Sequence, residues 1–279
     1  MTSLANSPAD LPADTGDTGP VTPPRRRLHD LRVIAALVIR EMSSTYGTSP
    51  GGYLWAVLSP VGAIMLLSVG FSFIVQRPAL GTSFVLFYAT GYLPLDIYSQ
   101  LSAKIAASLR YGRALLVYPG LTWMHAILAR FLLNMLTLLM VFCVVITAII
   151  LAVETRSVID VAPILTGLGL AGLLGLSVGM MNCLVMGLFP VWERVWPVLT
   201  RPLFLVSGLL FLYEDLPRFA QQILWWNPVM HVISLVRTGF YPTYHASFVS
   251  VSYVFGLCLI LLALALVFLR RYYQKVLEI

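Results

Sequence analysis

The sequence of residues 131–153 is FLLNMLTLLMVFCVVITAIILAV, a run of 23 residues that contains no charged side chain. A helix needs about 20 predominantly apolar residues to cross the hydrocarbon core of a bilayer. This run therefore predicts a membrane-spanning helix. Similar runs flank it, and together they predict an all-α polytopic membrane protein. The six predicted spans are residues 57–75, 83–103, 131–153, 161–189, 197–213 and 247–269.

The overall composition indicates the same class of protein. Of the 279 residues, 59% are hydrophobic and 11% are charged, and the mean hydropathy is +0.86. Soluble domains carry about 25% charged residues, so this chain has too few polar groups to cover a surface that faces water. Cys143, Cys183 and Cys258 lie inside apolar runs without metal-ligand spacing, which predicts that they are small core residues.

The distribution of Lys and Arg predicts the orientation of the chain. An even number of spans places both termini on one side, and cytoplasmic loops carry more Lys and Arg than external loops. Thirteen basic residues fall on the side of the termini and four on the other, so both termini are expected in the cytoplasm. The net charge of +6 follows from this asymmetry and does not indicate a nucleic-acid partner. The thirteen are Arg25, Arg26, Arg27, Arg32, Arg40, Lys104, Arg110, Arg113, Arg194, Arg201, Arg270, Arg271 and Lys275; the four are Arg77, Arg156, Arg218 and Arg237.

The N-terminal region contains two kinds of sequence. Residues 1–27, rich in proline, predict a disordered cytoplasmic tail. Residues 28–46 show helical periodicity with apolar and basic faces, which predicts an amphipathic helix in the cytoplasmic interface of the membrane. A soluble helix packed on a partner is the alternative. The apolar face consists of Leu28, Leu31, Ile34, Ala35, Val38 and Met42, and the basic face of His29, Arg32 and Arg40.

Residues 214–246, between the last two predicted spans, are too apolar for an ordinary external loop. Trp225 and Trp226 precede Asn227-Pro228, and a second apolar stretch follows. Because proline favours a helix start and restricts the residue before it, two short helices broken at this point are predicted. Neither is long enough to span the bilayer, so we expect them to re-enter the outer leaflet. The six-span domain is assigned to residues 47–279.

The sequence lacks the phosphate-binding loop and two common metal-binding or redox motifs. The phosphate-binding loop G-x-x-x-x-G-K-[ST] requires a lysine after its glycines, and neither Lys104 nor Lys275 stands in such a position. H-E-x-x-H and C-x-x-C are absent from the sequence. We therefore predict no catalytic residue, no bound metal and no cofactor for this chain.

Asp96 is the only acidic residue within a predicted span, and it lies close to Gly91 and Pro94. Carboxylates at this depth are costly and often mark functional positions. Asp96 could relay protons or contact cargo; it could equally line a water-filled cavity or cap a broken helix. One carboxylate is little support for a proton-driven carrier, so the energy for transport is expected from another subunit.

Three motifs, in this order, resemble those of a known family of transport proteins. The first is REM at 40–42 with YGTS at 46–49, GYLW at 52–55 and Pro60; the second is FP at 189–190 with RV at 194–195, Pro197, RPLF at 201–204 and SG at 207–208; the third is LWWNPV at 224–229 with His231 and Arg237. They resemble type-2 ABC exporter permeases (ABC-2 type), and most closely the branch that exports capsular polysaccharides, O-antigens and teichoic acids. The resemblance covers residues 28–279.

The resemblance implies a homodimer of six-span subunits above two separate ATP-binding subunits, which use the ATP and Mg. It also implies that residues 104–123 form a cytoplasmic coupling segment that docks on the ATP-binding subunit. The residues expected in coupling are Lys104, Arg110, Tyr111 and Arg113, together with Arg40 and Glu41 before the first span.

A polysaccharide path needs stacking faces and hydrogen-bond partners with few fixed charges. Aromatic side chains suit the apolar faces of sugars, although Trp and Tyr also form an ordinary belt at membrane interfaces. The expected path residues are Tyr53, Trp55, Tyr92, Tyr98, Trp225 and Trp226, and the expected outer gate is Asn227, Pro228, His231 and Arg237.

The sequence thus predicts the permease subunit of an ATP-driven exporter in the bacterial inner membrane. Its expected cargo is a cell-surface polysaccharide, lipid-linked and of the capsular or O-antigen type. One alternative is the same architecture with a drug or lipid as cargo. Another is a membrane-embedded glycan transferase, which would need clustered carboxylates or histidines at one membrane face. Periplasmic and outer-membrane export components are further candidate partners.

Overall fold

The computed structural model describes residues 26–46, 51–112, 121–153 and 159–278, and within them the fold is helical without β-strands. Residues 1–25 of the predicted tail, which was expected to span residues 1–27, and residues 113–120 of the coupling segment lie outside the described residues. The helices are α1 (Arg26–Tyr46), α2 (Gly52–Ser72), α3 (Phe84–Ala106), α4 (Ser108–Gly112), α5 (Trp123–Ala152), α6 (Val161–Leu188), α7 (Trp192–Val206), α8 (Arg218–Leu224), α9 (Pro228–Phe240) and α10 (Val251–Glu278). A short 3₁₀ turn at Tyr213–Asp215 lies between α7 and α8.

Four of these helices are long and apolar enough to cross a bilayer. They correspond to the first, third, fourth and sixth predicted spans. The second predicted span corresponds to α3, a helix of 23 residues that also carries Asp96 and Lys104. The four are α2 over Leu54–Ser72, α5 over Trp123–Ala152, α6 over Val161–Leu188 and α10 over Val251–Tyr273.

The boundaries of the fifth predicted span, residues 197–213, are wrong. Helix α7 begins at Trp192, contains both Pro197 and Pro202, and ends at Val206. It ends there because Gly208 adopts a left-handed conformation with φ of 76°, which glycine accepts readily and which commonly terminates helices. With 15 residues, α7 is about 22 Å long, shorter than the ~30 Å hydrocarbon core of a bilayer.

The contact between α3 and α6 lies at the centre of the fold. Gly175 and Gly179 of α6 lie directly against α3. A Cβ at Gly175 would be 2.8 Å from Cβ of Leu101, and a Cβ at Gly179 would be 2.9 Å from the carbonyl oxygen of Ser102. Only glycine permits so close an approach, which is how small residues promote helix packing in lipid. Helix α6 also packs against α9 and α10, and α3 also packs against α2, α5 and α9.

The N-terminal helix α1 packs against α5. Its side chain Glu41 forms an ion pair with Arg130 of α5, with Nη2 of Arg130 2.6 Å from Oε1 of Glu41. A helix is present where the amphipathic helix was predicted, and it begins at Arg26, two residues before the expected start. Its placement in the membrane interface stays a prediction. Of the expected apolar face, Ile34 and Val38 are half-buried, whereas Leu31, Ala35 and Met42 are exposed.

The predicted break at Asn227-Pro228 is confirmed, because α8 ends at Leu224 and α9 begins at Pro228. The Asn227 side chain caps α9 by accepting a hydrogen bond of 3.1 Å from the backbone N–H of Val229. A side-chain cap of this kind satisfies one of the unpaired N–H groups of the first turn. The depth of these two helices in the membrane stays a prediction.

Replacing Gly179 by alanine tests the α3–α6 contact. The added Cβ would press on the carbonyl of Ser102, and overpacking of this kind costs about 1–3 kcal/mol. We expect the detergent-solubilised Gly179→Ala protein to melt at a lower temperature than wild type.

The matched control for this variant is Gly169→Ala on the same helix. A Cβ at Gly169 has no atom within 4 Å, so its melting temperature should stay equal or rise. Equal melting temperatures for the two variants, measured by fluorescence-detected size exclusion after heating, would contradict the close packing.

Candidate functional site

A groove of about 470 Å³ runs between α3 and α7. Aromatic side chains line it from both sides, Tyr92 and Tyr98 from α3 and Trp196 from α7. Aromatic rings offer apolar faces, and tyrosine and tryptophan add a polar group at one end. The polar residues along the same groove are Asp96, Ser99, Ser102, Thr200 and Arg201. The lining therefore suits a ligand that has both apolar faces and many hydroxyl groups.

The described residues of the groove provide a binding surface and no recognisable catalytic group. The hydroxyl of Ser102 donates to the carbonyl of Ser99, and that of Thr200 donates to the carbonyl of Trp196. Neither hydroxyl is hydrogen-bonded to a general base, as nucleophilic catalysis requires. In the part of the chain that the structure describes, His, Cys, Asp and Glu do not gather into a group of three that could hold a metal ion.

Asp96 lies midway along α3, with its carboxylate in the groove. Its Oδ2 accepts a hydrogen bond of 2.7 Å from Nε2 of Gln100, one turn further along the helix. Helix α3 continues past Pro94 to Ala106 without interruption. Asp96 therefore does not cap a broken helix and instead lines a cavity, which was one of the alternatives that the sequence left open.

A polar network joins the end of α3 to α5 and α1. Nζ of Lys104 donates to Oδ1 of Asn134 at 2.7 Å, and Nδ2 of Asn134 donates to the carbonyl of Arg130 at 2.7 Å. Nε of Arg130 donates to Glu41 at 2.8 Å. The start of the predicted coupling segment at Lys104 is thus corrected, because this residue lies in the last turn of α3 and not in a loop. Lys104 and Glu41 are joined through this network, whereas Arg40 is exposed on α1.

An ion pair joins the short helix α4 to the start of α7. Nη1 and Nη2 of Arg110 donate to Oε2 and Oε1 of Glu193 at 2.5 and 2.8 Å. Sequence reasoning missed Glu193, although an acidic residue opposite a basic one on the same predicted side of the membrane was a usable signal.

The residues predicted for a substrate path do not all lie together. Tyr92 and Tyr98 line the groove. Trp55 is 64% exposed on α2 and is not part of the groove lining. Three predicted residues are not tested. The side chains of Tyr53 and Tyr111 and the whole of Arg113 lie outside the described residues.

Trp225 and Trp226 belong to an aromatic cluster around His231. The ring of Trp225 packs on Tyr253 with centroids 5.0 Å apart, whereas Trp226 is 68% exposed. The backbone N–H of Ser250 donates to Nδ1 of His231 at 3.2 Å, so Nδ1 is unprotonated. Nε2 of the same ring lies 2.7 Å from the carbonyl of Trp225 and therefore donates to it. His231 thus holds the end of α8 against the start of α10.

Arg237 is buried in the bundle, with 1% of its surface exposed. Its Nη1 donates to the carbonyl of Gly208 at 2.7 Å, and its Nη2 donates to the carbonyl of Leu209 at 3.0 Å. The guanidinium also lies over the ring of Phe87, 4.2 Å from its centroid, a favourable cation–π geometry. Arg237 therefore ties α9 to α3 and to the segment that follows α7.

The sequence matches the model of the ABC-2 type transporter family over residues 32–241. The chain belongs to this family. The match includes all of the groove, the Arg110–Glu193 pair and Arg237, and it confirms the family that the three motifs resemble.

Individual members of the family share this chain's length as well as its sequence. The polysialic acid transport protein KpsM of Escherichia coli is 28% identical over 237 residues, which are 85% of this chain and 92% of KpsM. The capsule polysaccharide export inner-membrane protein BexB of Haemophilus influenzae is 24% identical over 86% of this chain and 91% of its own length. CtrC of Neisseria meningitidis serogroup A, which carries the same description, is 23% identical over 88% and 92%.

Replacing Arg237 by glutamine is expected to destabilise this ABC-2 chain. The change leaves the buried carbonyls of Gly208 and Leu209 without their charged donor, and each unsatisfied group costs about 1–3 kcal/mol. We expect a clear fall in the melting temperature of the purified protein. Arg218→Gln, at an exposed position on α8, is the control and should melt like wild type. A wild-type melting temperature for Arg237→Gln would show that the hydrogen bonds of Arg237 do not contribute to the stability of the protein.

Proposed function

We propose that this chain is the membrane-spanning subunit of an ATP-driven exporter that moves a cell-surface polysaccharide from the cytoplasm to the periplasm. The observation that carries the proposal is the groove between α3 and α7, where Tyr92, Tyr98 and Trp196 stand among hydroxyl and charged groups. The names of the relatives, which include polysialic acid transport and capsule polysaccharide export, support a glycan as the cargo. A lipid-linked glycan of the capsular or O-antigen type is the proposed substrate.

The proposed subunit crosses the bacterial inner membrane six times. Helices α2, α5, α6 and α10 have the length and composition for this, and α3 and α7 supply the other two spans. The polar residues of α3 support its place among them, because Asp96 faces the groove and Lys104 contacts Asn134 of α5. A short span such as α7 is accommodated by local thinning of the bilayer. The basic residues then place both termini in the cytoplasm, with α8 and α9 re-entrant from the outer side.

The proposed exporter contains two copies of this chain and two ATP-binding subunits. None of the residues of α7 is buried, and α2 exposes large apolar side chains that include Leu58, Leu66 and Val69. A second copy would cover these side chains and close the open side of the groove. ATP and Mg bind to the partner subunits, where hydrolysis takes place. Periplasmic and outer-membrane components remain candidates for further partners.

In the proposed mechanism, closure of the ATP-binding subunits displaces the coupling segment. Arg110, Tyr111 and Arg113 contact the partner, with Arg40 on the neighbouring α1. Lys104 and Glu41 connect the displacement to α1 and α5 through Arg130. The relative movement of α3 and α7 then advances the glycan by steps along the groove. Tyr53 and Trp55 are proposed for the entry, Trp225 and Trp226 for the exit, and Asn227, Pro228, His231 and Arg237 for the outer gate.

Deleting the gene in the organism that carries it tests the proposed function. Synthesis of the glycan continues while its export stops, so glycan is expected to disappear from the surface and to accumulate inside the cell. Fractionation followed by sugar analysis measures both pools and identifies the substrate. Unchanged surface glycan without an internal pool would contradict the proposal and favour a drug or lipid cargo. Exported glycan with an altered structure would favour a transferase.

Replacing Trp196 by alanine tests the groove itself. Loss of one stacking face is expected to lower the amount of surface glycan about tenfold, which corresponds to about 1.4 kcal/mol of lost interaction. Co-purification of the ATP-binding subunit should be unchanged, because Trp196 lines the groove and does not belong to the proposed coupling segment. Phe219→Ala, at an exposed aromatic residue of α8 outside the groove, is the control. Equal export by Trp196→Ala and wild type would exclude this groove as the path.

A further inference from the structure

Within one copy of the chain, helix α7 is held mainly at its two ends, and Leu203 and Phe204 near its C-terminal end pack partly against the core. Its 15 residues include no buried residue. At the end nearer the outer segment, Nδ2 of Asn227 donates to the carbonyl of Val206 at 3.1 Å. The carbonyls of Gly208 and Leu209 that follow are bound by buried Arg237. A helix fixed in this way can change its tilt without breaking a packed core.

In the part of the chain that the structure describes, two side-chain contacts hold the other end of α7. Nε1 of Trp192 donates to Oδ1 of Asn182 in α6 at 3.0 Å. Glu193 accepts two hydrogen bonds from Arg110, at 2.5 and 2.8 Å. A bidentate Arg–carboxylate pair fixes both the separation and the orientation of the two groups. Of the two contacts, only the ion pair reaches an element outside α6.

Helix α4, which carries Arg110, is well placed to move with a cytoplasmic partner. It follows directly on α3 and leads into residues 113–120 of the coupling segment. Ser108 and Leu109 are buried in the bundle, whereas Arg110 and Glu193 have side-chain exposures of 63% and 49%. One side of α4 is therefore anchored on the bundle, and its exposed side holds α7.

We propose that the Arg110–Glu193 ion pair is the link through which the coupling segment moves α7 and thereby opens the groove between α3 and α7. This inference rests on the proposed function and adds to it the helix that moves and the residue that receives the movement. A displacement applied at Glu193 would turn α7 about its far end at Gly208. The groove residues Trp196, Thr200 and Arg201 lie between these two points and would move with the helix.

The exposure of the pair supports a positioning role over a stabilising one. Ion pairs as exposed as this one usually contribute little to stability, whereas a bidentate geometry fixes the relative position of the two side chains. An ion pair in water can also re-form quickly after each cycle, which a packed apolar contact cannot do without separating a buried surface. Arg110 and Glu193 are therefore assigned as positioning residues that act through α7 and do not contact the glycan.

A charge-swap series tests the link in the complete complex with its ATP-binding subunits. Arg110→Glu and Glu193→Arg each replace attraction by repulsion, and the double variant restores an opposite pair. We expect each single variant to lower surface glycan about tenfold and the double variant to recover most of it, as coupled neighbouring residues do in a double-mutant cycle. For Glu193→Arg, which changes a residue of α7 outside the coupling segment, the amount of assembled complex and its basal ATPase rate should stay at wild-type values, a combination that a merely structural role would not produce.

Arg218→Glu is the matched control, since it makes the same change of charge as Arg110→Glu. Arg218 is exposed on α8, and export by this variant should equal wild type. If the reversed variants do not assemble, Glu193→Gln keeps the shape of the side chain and is expected to lower export several-fold. Wild-type export by the assembled single variants, or a double variant as defective as the singles, would overturn the link. Failure of the proposed function is distinguishable, because it appears as normal surface glycan in the deletion strain.

Discussion

The close approach of α3 and α6 is the constraint on which the rest of the structure depends. Lipid tails are as apolar as leucine, so the hydrophobic effect does not drive helices together in a bilayer, and packing must do so instead. Gly175 and Gly179 allow the two backbones to meet. Gly167 of α6 lies equally close to Val236, and Gly239 of α9 lies close to Ile164 of α6. Glycine contacts thus fix α3 and α9 on α6, and through α3 they fix one wall of the groove.

The opposite wall, α7, is held by a different kind of interaction. Polar contacts at its two ends replace the continuous packing that secures α3. Burying the charge of Arg237 would be costly in isolation, and two carbonyls and the face of Phe87 compensate for it. One wall of the groove, α3, is therefore fixed by packing, and the other, α7, mainly by polar contacts at its ends. For the proposed transport cycle this difference matters, because a path that opens in steps needs a wall that moves against one that does not.

Features that depend on span length or on local backbone chemistry could be predicted from the sequence, whereas contacts between residues far apart in the sequence could not. Crossing a bilayer fixes length and composition together, so residues 161–189 predict α6 almost to the residue. The break at Asn227-Pro228 follows from local backbone chemistry. Of the aromatic side chains predicted for a path that the structure describes, only Tyr92 and Tyr98 line the groove, since an aromatic pattern does not specify which face of the bundle it lines. Glu193 and Trp196 escaped prediction because their surroundings are supplied by α4 and α3, far away in sequence.

The charges of the groove distinguish a passage from a binding site. Tight binding would need paired charges aimed at a fixed ligand, whereas conduction needs contacts that admit a substrate and then release it. The charged side chains of the lining are one acid, Asp96, and one base, Arg201. Gln100 already occupies one oxygen of Asp96, which leaves that carboxylate less able to hold a ligand strongly. In the proposed path, repeated weak stacking on Tyr92, Tyr98 and Trp196 would then be the main interaction. A chain of similar sugar units could slide along such a surface because each unit replaces the contacts of the one before it.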